Sequence, residues 1–392
     1  MKKILFVHYN IFEKRRWGRT FPLAKGAKQC GLDVTLLTIS QTKGIGSKTV
    51  VINGVKVLQH KDIIPTIFIN KGFGLFSILF RIFHVLTNKY DYVYIDCGEG
   101  INTGWIGKIA QWRGSILISE WGDLLGKGGY YDNKPLFFKI LYGWYYLWAE
   151  HYFRKSADYT AVLSSMMKNH ALNIGIPEEK IRIVPGGAIT DIIQPSFKPK
   201  SILGIDNNII TLGYIGIDEG ELKDLLPLLT VLKKEPYKNK FKIVTFGSKL
   251  SQEILNKYGI SDIIINYGWL NFYEDYSAAQ CVDIYVLMKT TNIERSSMGW
   301  PNKLGDYMAL GRPVLLNTYG DITDFVTKYP DGFIKITLNE NEIAQQLDNI
   351  INNKYCLTEM GKSNRKIAEE VISWKARMSN LIQSINDETI KN

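Results

Sequence analysis

Cysteine is scarce in this sequence. Its four cysteines, Cys30, Cys97, Cys281 and Cys356, lie far apart in a chain of 392 residues. No two of them form the C-x-x-C spacing of zinc and redox motifs. Disulfide frameworks are typical of short, cysteine-dense secreted chains, so such a framework is excluded as well. The cysteine content therefore favours a protein of the reducing cytoplasm.

Long apolar runs are also absent. No stretch reaches the roughly 20 apolar residues that a membrane span requires. The N-terminal run Ile4–Val7 covers four residues before His8, which is too short for the apolar region of a signal peptide. This run predicts a buried first strand instead.

Histidine is sparse, and no two histidines stand four residues apart. That spacing places two imidazoles on one helix face in many zinc sites. A D-x-D motif at a predicted strand end is missing too. We therefore predict no metal site and no metal cofactor.

Charge is unevenly distributed around the net value of +10. Residues 1–200 hold 27 Lys and Arg against 14 Asp and Glu, and the remainder holds 21 against 24. A basic first half favours an anionic partner surface, such as nucleic acid or anionic lipid. Well-solvated basic faces without such a partner are the alternative. Nucleic acid is disfavoured, because the basic residues are scattered and no RNA- or DNA-binding module is recognisable.

Short apolar runs alternate with helical patterns in the first half, which predicts a parallel sheet covered by helices on both faces. The runs that predict strands are Ile4–His8, Val34–Leu37, Tyr92–Ile95, Ser115–Ser119, Tyr159–Leu163 and Ile181–Val184. The segments with helical periodicity are Phe21–Cys30, Leu75–Leu86, Asn102–Trp112 and Leu136–Phe153.

Residues 185–208 interrupt this alternation with three prolines and two adjacent glycines, which is typical of a linker. The alternation then resumes. Predicted strands are Ile209–Ile215, Lys242–Phe246, Ile263–Asn266, Asp283–Met288, Pro313–Asn317 and Phe333–Ile336. Predicted helices are Glu221–Lys234, Gln252–Tyr258, Phe272–Gln280, Lys303–Leu310 and Glu340–Asn352, with a terminal amphipathic helix at Trp374–Asn386.

The fold class is therefore α/β, with two doubly wound, Rossmann-like domains at residues 1–195 and 196–372 that face a cleft. Ligands bind such sheets at the carboxyl ends of their strands. Two facing edges of this kind would bury a ligand of two parts and exclude water from it.

The window Met298–Leu315 carries the strongest chemical signal. Its Trp-Pro turn precedes Asn302, a good N-cap, and the predicted helix ends at Gly311. A helix N-terminus with Lys303 in its first turn suits a diphosphate. Asp306, on the same face, is placed to accept hydrogen bonds from two ribose hydroxyls. A capped surface helix before a buried strand is the plain structural alternative.

This window, P-x-K-L-x-D-Y-M-A-x-G-R-P-V from Pro301, resembles the donor-site signature of retaining GT-B glycosyltransferases, especially family 4. Shorter resemblances follow in the family's order along the whole chain. They are Arg154 with Ala157-Asp158 and Val162-Leu163-Ser164, the run Ile181–Gly187, Tyr267-Gly268-Trp269, and Ser373-Trp374. The last of these implies that residues 373–392 form a helix that crosses back to the first domain.

The resemblance implies roles on the donor side. It places the donor ribose at Asp306, the diphosphate at Pro301, Asn302 and Lys303, and the nucleobase at Tyr267, Gly268 and Trp269. In the family, two glutamates stand eight positions apart, but this chain has Met298 at the first position and Asp306 at the second. Glu294 is the candidate replacement and the candidate catalytic residue. The family's phosphate clamp is reduced to Lys223, with Lys303, Arg295 or Lys289 as further cations.

On the acceptor side, the family carries a glycine-rich loop after the first strand. Here the corresponding residues are Arg15–Arg19, and Gly18 lets the backbone approach a ligand closely. Arg16 and Arg19 suit a phosphate-bearing acceptor, and a solvated basic loop is the alternative. Asp123 or Glu120 is expected to bond the acceptor hydroxyl and take its proton, and Asp123 is the preferred catalytic candidate.

Two aromatic segments, Phe73–Phe83 and Phe137–Phe153, contain or adjoin Lys and Arg. Interfacial helices have this composition, and basic residues add roughly 1 kcal/mol each near anionic lipid. Docking on the inner face of the cytoplasmic membrane is therefore expected for this otherwise cytoplasmic protein. Packing of both helices on the sheet is the alternative.

These observations predict a retaining, metal-independent hexosyltransferase that moves a sugar from a nucleotide diphosphate to a glycan or lipid-linked acceptor. Surface polysaccharide or glycoconjugate biosynthesis is the expected setting. Two alternatives remain, a nucleotide-sugar epimerase of similar build and a degenerate sugar-nucleotide-binding subunit.

Overall fold

The computed structural model describes residues 1–12, 18–64, 73–96 and 100–389. Contacts divide the chain into two compact units, Met1–Pro185 with Trp374–Asn392, and Gly186–Ser373. The division after Pro185 falls within the stretch rich in proline and glycine. The α/β class with two mostly parallel sheets is confirmed.

The described part of the first unit contains one sheet in the order β3-β4-β2-β1-β5-β6-β7-β8. Its strands are β1 Lys3–Ile11, β2 Asp33–Ile39, β3 Ser47–Ile52, β4 Val55–His60, β5 Tyr92–Ile95, β6 Ile116–Trp121, β7 Tyr159–Val162 and β8 Ile181–Ile183. Neighbouring strands are parallel except for β3 and β4. Strands covered on both faces are continuous apolar runs, which is why most were predictable.

The hairpin of β3 and β4 was missing from the predicted strands. Asn53 and Gly54 connect the two strands with φ values of 51° and 78°, the left-handed backbone that a type I′ turn requires. Strand β3 lies at the edge of the sheet and is largely exposed. Its only apolar run, Val50–Ile52, is three residues long and follows three polar residues, which is shorter than the runs that predicted the other strands.

The described part of the first unit contains six helices before the terminal helix. They are α1 Thr20–Gln29, α2 Leu75–Thr87, α3 Gly104–Trp112, α4 Leu136–Leu141, α5 Gly143–Lys155 and α6 Ser165–Asn173. The single helix predicted over Leu136–Phe153 is wrong, because α4 and α5 are separated at Tyr142, whose φ of −125° is not helical. A Cβ on Gly143 would lie 2.7 Å from the Tyr131 hydroxyl, so glycine permits this close packing.

The last helix of the chain, Trp374–Thr389, packs on α1 in the first unit. A Cβ on Gly26 would lie 2.4 Å from the Trp374 carbonyl oxygen, so the absent side chain allows this approach. At the far end, the Tyr92 hydroxyl and Lys2 Nζ donate to Asn386 Oδ1 at 2.7 and 3.0 Å. The terminal helix therefore belongs to the first unit, as the resemblance implied.

The second unit contains a fully parallel sheet in the order β11-β10-β9-β12-β13-β14. Its strands are β9 Ile210–Ile217, β10 Phe241–Gly247, β11 Ile264–Gly268, β12 Ile284–Leu287, β13 Val314–Leu316 and β14 Phe333–Lys335. Its helices are α7 Glu219–Leu232, α8 Gln252–Tyr258, α9 Ile293–Ser297, α10 Asn302–Ala309, α11 Asp321–Lys328, α12 Glu340–Ile351 and α13 Leu357–Glu370. The terminal helix is α14.

The helix predicted over Phe272–Gln280 is wrong. Asn271 Oδ1 accepts the Tyr273 N–H at 3.0 Å, and Asp275 Oδ1 accepts the Ser277 N–H at 2.9 Å. Such local side-chain bonds compete with helix formation. The segment contains a short bridge between Asn271 and Asp275, and then a 3₁₀ turn at Ser277–Cys281.

No helix in the described ranges is long and apolar enough to cross a membrane.

Candidate functional site

Three neighbouring strands of the second unit have a glycine with a left-handed backbone at the last or next-to-last residue. Gly216, Gly247 and Gly268 have φ values of 80°, 134° and 105°. A Cβ on Gly247 would lie 2.8 Å from the backbone N and O of Ile217, so only glycine fits there. Because β11, β10 and β9 are adjacent, their glycine turns form one edge without bulky side chains at the carboxyl ends of the strands.

Helix α10 begins at Asn302, with Pro301 in the N-cap position and no side chain bonded to the cap. The prediction of Asn302 as N-cap is therefore wrong by one residue. Asn302 Oδ1 lies 2.4 Å from the position that a Cβ on Gly186 would occupy. The Asn302 side chain is therefore directed to the backbone at Gly186. The first turn contains no acidic residue. The N–H groups of this helix start are suited to an anion.

Lys303, in the first turn of α10, is paired with an acidic residue that the sequence patterns did not single out. Its Nζ lies 2.9 Å from Glu221 Oε2 and 3.0 Å from the Tyr214 hydroxyl, and 4.2 Å from the centre of the Tyr214 ring. Burial lowers the pKa of Lys303, and Glu221 partly offsets that effect. The positive charge of Lys303, which was predicted to bind phosphate, is thus already balanced by the Glu221 carboxylate.

The loop after β12 is held by the buried carboxylate of Asp224. Asp224 accepts the N–H groups of Thr290 and Thr291 at 2.8 and 3.1 Å, and Lys289 Nζ at 2.6 Å. Burial raises the pKa of Asp224, but these bonds outweigh it and lower the pKa overall. Lys289 therefore stabilises the loop, which makes it a weaker phosphate ligand than Lys303. Lys223, also predicted for phosphate, is exposed on α7.

Asp306 lies one turn into α10 and is half-buried. No described residue donates a hydrogen bond to its carboxylate, and burial raises its pKa to about 7. The neighbouring Tyr307 stacks on Tyr285 at 4.3 Å, and its hydroxyl accepts the Ile215 N–H at 3.0 Å, which holds α10 against β9 and β12. Asp306 is therefore a positioned acceptor that is suited to ligand hydroxyl groups.

Tyr267 and Trp269 flank the left-handed Gly268 at the end of β11. Tyr267 is 40% exposed and its ring centre lies 5.5 Å from that of Phe246, while Trp269 is 70% exposed. Large aromatic surfaces left open beside a glycine turn can stack on a planar base.

Glu294 lies in the first turn of the short helix α9 and is exposed. Within the described residues its carboxylate has no hydrogen bond or ion pair. The structure therefore brings Lys303 into contact with Glu221 rather than with Glu294. Sequence separation explains why the patterns missed this pair, since the two residues are 82 positions apart.

In the first unit, the Arg19 side chain forms its bonds with other residues of this chain. It forms a buried ion pair with Glu120 through Nε, and its other nitrogens donate to the carbonyl oxygens of Val184 and Pro185. The Trp374 ring lies 5.4 Å away. These contacts indicate that Arg19 joins segments of the fold, and they weigh against its predicted role in phosphate binding. Arg16 lies outside the described residues.

Glu120 is buried at the end of β6. Burial raises the pKa of its carboxyl, and Arg19 counteracts the rise. Asp123, two residues beyond β6, is exposed, and Gly18 is half-buried. Glu120 is therefore a structural partner of Arg19, and Asp123 is the more accessible of the two acceptor-side candidates.

A further polar cluster was not predicted. At the end of β5, Asp96 Oδ2 contacts His8 Nδ1 and accepts the Thr20 hydroxyl at 2.8 Å. Asp96 Oδ1 is buried, and none of the residues that the structure describes forms a hydrogen bond with it. Arg81 donates to the His8 carbonyl oxygen at 2.8 Å. His8 within an apolar first strand was the available signal for this cluster.

Comparisons with known proteins agree with this architecture. Residues 19–187, less than half of the chain, match a family model described as "Glycosyl transferase 4-like domain". No curated protein matches the chain significantly.

Solved structures resemble the chain over nearly its full length. Sucrose-phosphate synthase from Thermosynechococcus elongatus is 14% identical, with a TM-score of 0.67 and 100% of both chains covered. Anabaena HepE, solved in complex with UDP and glucose, is 14% identical, with a TM-score of 0.66 and coverages of 98% and 100%. A protein named as a candidate UDP-N-acetylglucosamine 2-epimerase from Listeria monocytogenes is 11% identical, with a TM-score of 0.59 and coverages of 100% and 98%.

At these identities the solved structures establish the fold and leave the reaction open. The family model adds an independent match over most of the first unit. The chain therefore has the GT-B fold, and the resemblance to family-4 glycosyltransferases that its motifs predicted is confirmed.

Proposed function

We propose that this protein transfers a hexose from a nucleotide diphosphate to a glycan or lipid-linked acceptor, with retention of configuration. The observation that carries the proposal is the start of α10, where an uncapped helix N-terminus, Lys303 and the unpaired carboxylate of Asp306 lie within two turns. An anion-binding helix start beside a free acceptor matches a diphosphate joined to a ribose. Surface polysaccharide or glycoconjugate biosynthesis is the proposed setting.

The donor contacts follow from this geometry. The diphosphate lies at the backbone N–H groups of Asn302 and Lys303, and Lys303 Nζ is shared between phosphate and Glu221. The ribose hydroxyls donate to Asp306. The base stacks on Tyr267 or Trp269, whose rings are exposed beside Gly268. Glycine turns at the ends of β9 and β10 leave room for the ligand.

The proposed chemistry forms a bond between an acceptor oxygen and the anomeric carbon as the bond from that carbon to the phosphate oxygen breaks. Attack and departure occur on the same face, and the acceptor proton passes to the leaving phosphate oxygen. Glu294 orients the donor sugar, and Asp123 bonds the acceptor hydroxyl. The helix dipole and Lys303 stabilise the leaving group without a metal.

Two observations favour the degenerate subunit as the second candidate. Met298 stands where the family has a glutamate, and Glu221 partly neutralises Lys303. An epimerase shares this fold, as the Listeria protein illustrates. The three functions differ in product: a transferase needs an acceptor, an epimerase changes the free nucleotide sugar, and a degenerate subunit binds without turnover.

The test is thermal stabilisation of the full chain by a panel of nucleoside diphosphates, with UDP first because the HepE structure contains it. A ligand at 100 times its Kd should add about 2.7 kcal/mol. Asp306→Ala should lose this shift, while Asp331→Ala, an exposed aspartate on the same unit, should keep it. If no nucleotide shifts the melting temperature, the proposed donor site is wrong. If nucleotides bind but no donor is consumed with or without acceptors, the degenerate subunit is favoured.

A further inference from the structure

Helix α2 exposes a stripe of apolar side chains in addition to those that it packs on the core. Leu75, Leu79, Phe83 and Leu86 recur every three or four residues, and each is between 50 and 64% exposed. A helix packed on a core normally buries such a stripe and exposes its polar side. The outward stripe therefore requires an explanation beyond the packing of this unit.

The inner side of α2 packs Val85, Phe80 and Ile82 on the core and also buries polar residues, whose bonds fix this orientation. Arg81 is fully buried and donates to the carbonyl oxygens of His8 and Asn102 at 2.8 and 2.7 Å. Ser77 Oγ lies 3.1 Å from His60 Nδ1. If α2 were rotated about its axis so that the apolar stripe faced the core, the Arg81 guanidinium would lose these hydrogen bonds. The exposed stripe is thus a stable feature of the native fold.

A second stripe runs along α4 and the start of α5. Phe137, Ile140 and Trp144 are 74, 67 and 70% exposed, and Leu136 and Leu141 are also exposed. Phe73, just before α2, lies 5.2 Å from the ring of Tyr142, which separates α4 from α5. The start of α2 therefore lies beside the break between α4 and α5 within the first unit. We refer to the two stripes together as the apolar face, defined by Leu75, Leu79, Phe83, Leu86, Leu136, Phe137, Ile140, Leu141 and Trp144.

Basic residues accompany this face. Lys134 lies over the Phe138 ring at 5.5 Å and Lys139 over the Tyr131 ring at 5.5 Å, while Lys89 follows α2 and is exposed. Residues 1–200 have 27 basic and 14 acidic residues. Exposed Trp and Phe with flanking Lys match the chemistry of the bilayer interface, where rings enter the headgroup region and ammonium groups meet lipid phosphate. A protein partner would not require the excess of positive charge.

We propose that the apolar face binds the surface of an anionic lipid bilayer, with its rings and aliphatic chains inserted and its lysines on the headgroups. This binding adds a partner to the proposed transferase, but it rests on the first unit alone and is independent of nucleotide binding. Its experiment therefore fails or succeeds separately from the test of the donor site.

The experiment is co-sedimentation of the full chain with vesicles of phosphatidylcholine, alone or with 30% phosphatidylglycerol, at about 0.15 M salt. Two variants each replace exposed apolar residues, Leu79→Gln with Phe83→Gln on α2, and Phe137→Gln with Ile140→Gln on α4. Ile202→Gln, on an exposed 3₁₀ turn of the second unit, is the matched control. Because the replaced side chains are exposed, the melting temperature should be unchanged in all three.

Binding to the anionic vesicles, with about tenfold weaker partitioning in both apolar-face variants and none lost in Ile202→Gln, supports the proposal. Equal binding to neutral and anionic vesicles overturns it, and so does absence of binding to either. Binding that both variants retain also overturns it, because basic residues elsewhere would then carry the interaction. Dimerisation that both variants abolish, without vesicle binding, assigns the face to a second copy of the chain.

Discussion

Lys303 Nζ lies 2.9 Å from Glu221 Oε2, so the cation at the start of α10 is paired with the first turn of α7. A phosphate that reaches Lys303 must share it with this carboxylate. The pair also approaches Lys289, whose Nζ lies 3.9 Å from Glu221 Oε1. We therefore expect the balance of charge at this helix start to influence anion affinity at the proposed donor site.

Glu221→Gln should strengthen the binding of nucleoside diphosphates. The substitution removes a negative charge beside the phosphate site and leaves the side-chain length unchanged. We expect about fivefold tighter binding, or ~1 kcal/mol, by isothermal titration calorimetry. Glu219→Gln, an exposed residue of the same helix turn, should have little effect. Weaker binding in the Glu221 variant would show that the carboxylate instead positions Lys303 for the ligand.

Donor binding should depend on pH through Asp306, whose pKa is raised to about 7 by burial. A carboxylate that accepts from ribose hydroxyls must be ionised, and its ionised fraction falls about tenfold from pH 8 to pH 6. The affinity for a nucleotide sugar, whose phosphates do not titrate in this range, should fall by a similar factor. Asp306→Asn should bind weakly at both values. A flat profile for the unmodified chain would remove Asp306 from the ribose site.

The same group links pH to stability. Because the folded pKa lies above the unfolded value, the folded state binds the proton more tightly, and the contribution to stability is lost as pH rises from about 4 towards 7. Asp306→Asn should therefore raise the melting temperature of the ligand-free chain, relative to the unmodified chain, more at pH 8 than at pH 4. Equal effects at the two values, measured by calorimetry, would contradict the raised pKa.

Arg19→Ala should destabilise the first unit by about 3 kcal/mol, because it leaves Glu120 buried without its cation. Adding Glu120→Gln should recover part of the loss, and Lys155→Ala, an exposed residue of α5, should cost little. Urea unfolding followed by tryptophan fluorescence measures the difference. A loss below about 0.5 kcal/mol would return Arg19 to the list of phosphate ligands.

Transfer should survive removal of metals. The proposed site uses a helix N-terminus and Lys303 for the leaving diphosphate, so EDTA should leave the rate of product formation unchanged within a factor of two. Sensitivity to EDTA that added Mg²⁺ or Mn²⁺ reverses would show that a divalent cation completes the phosphate site.

Both sheets were largely predictable, since buried parallel strands such as Ile284–Leu287 are uninterrupted apolar runs. The edge hairpin was not found by that pattern, although Asn53-Gly54 is a strong hairpin signal and would have located it. Helical periodicity also gave a wrong prediction for Phe272–Gln280. There the side chains of Asn271 and Asp275 accept hydrogen bonds from nearby backbone N–H groups.

The placement of candidate site residues was predictable where they share one continuous segment, as Lys303 and Asp306 do on α10. It was not predictable where distant segments meet. Arg19 and Glu120 are 101 positions apart, and their pairing depends on the fold bringing the start of α1 close to the end of β6. The preference for Arg19 as a phosphate ligand arose because a sequence shows the charge of a residue but not the partner that already satisfies it.

The return of α14 to the first unit has a consequence for synthesis on the ribosome. The first unit needs both Gly26 and Trp374, which pack against each other, yet the whole second unit is encoded between them. The nascent chain therefore holds an incomplete first unit, with the α1 surface beside Gly26 uncovered, until the second unit has been made. Release of the last helix from the exit tunnel is the step that closes this surface.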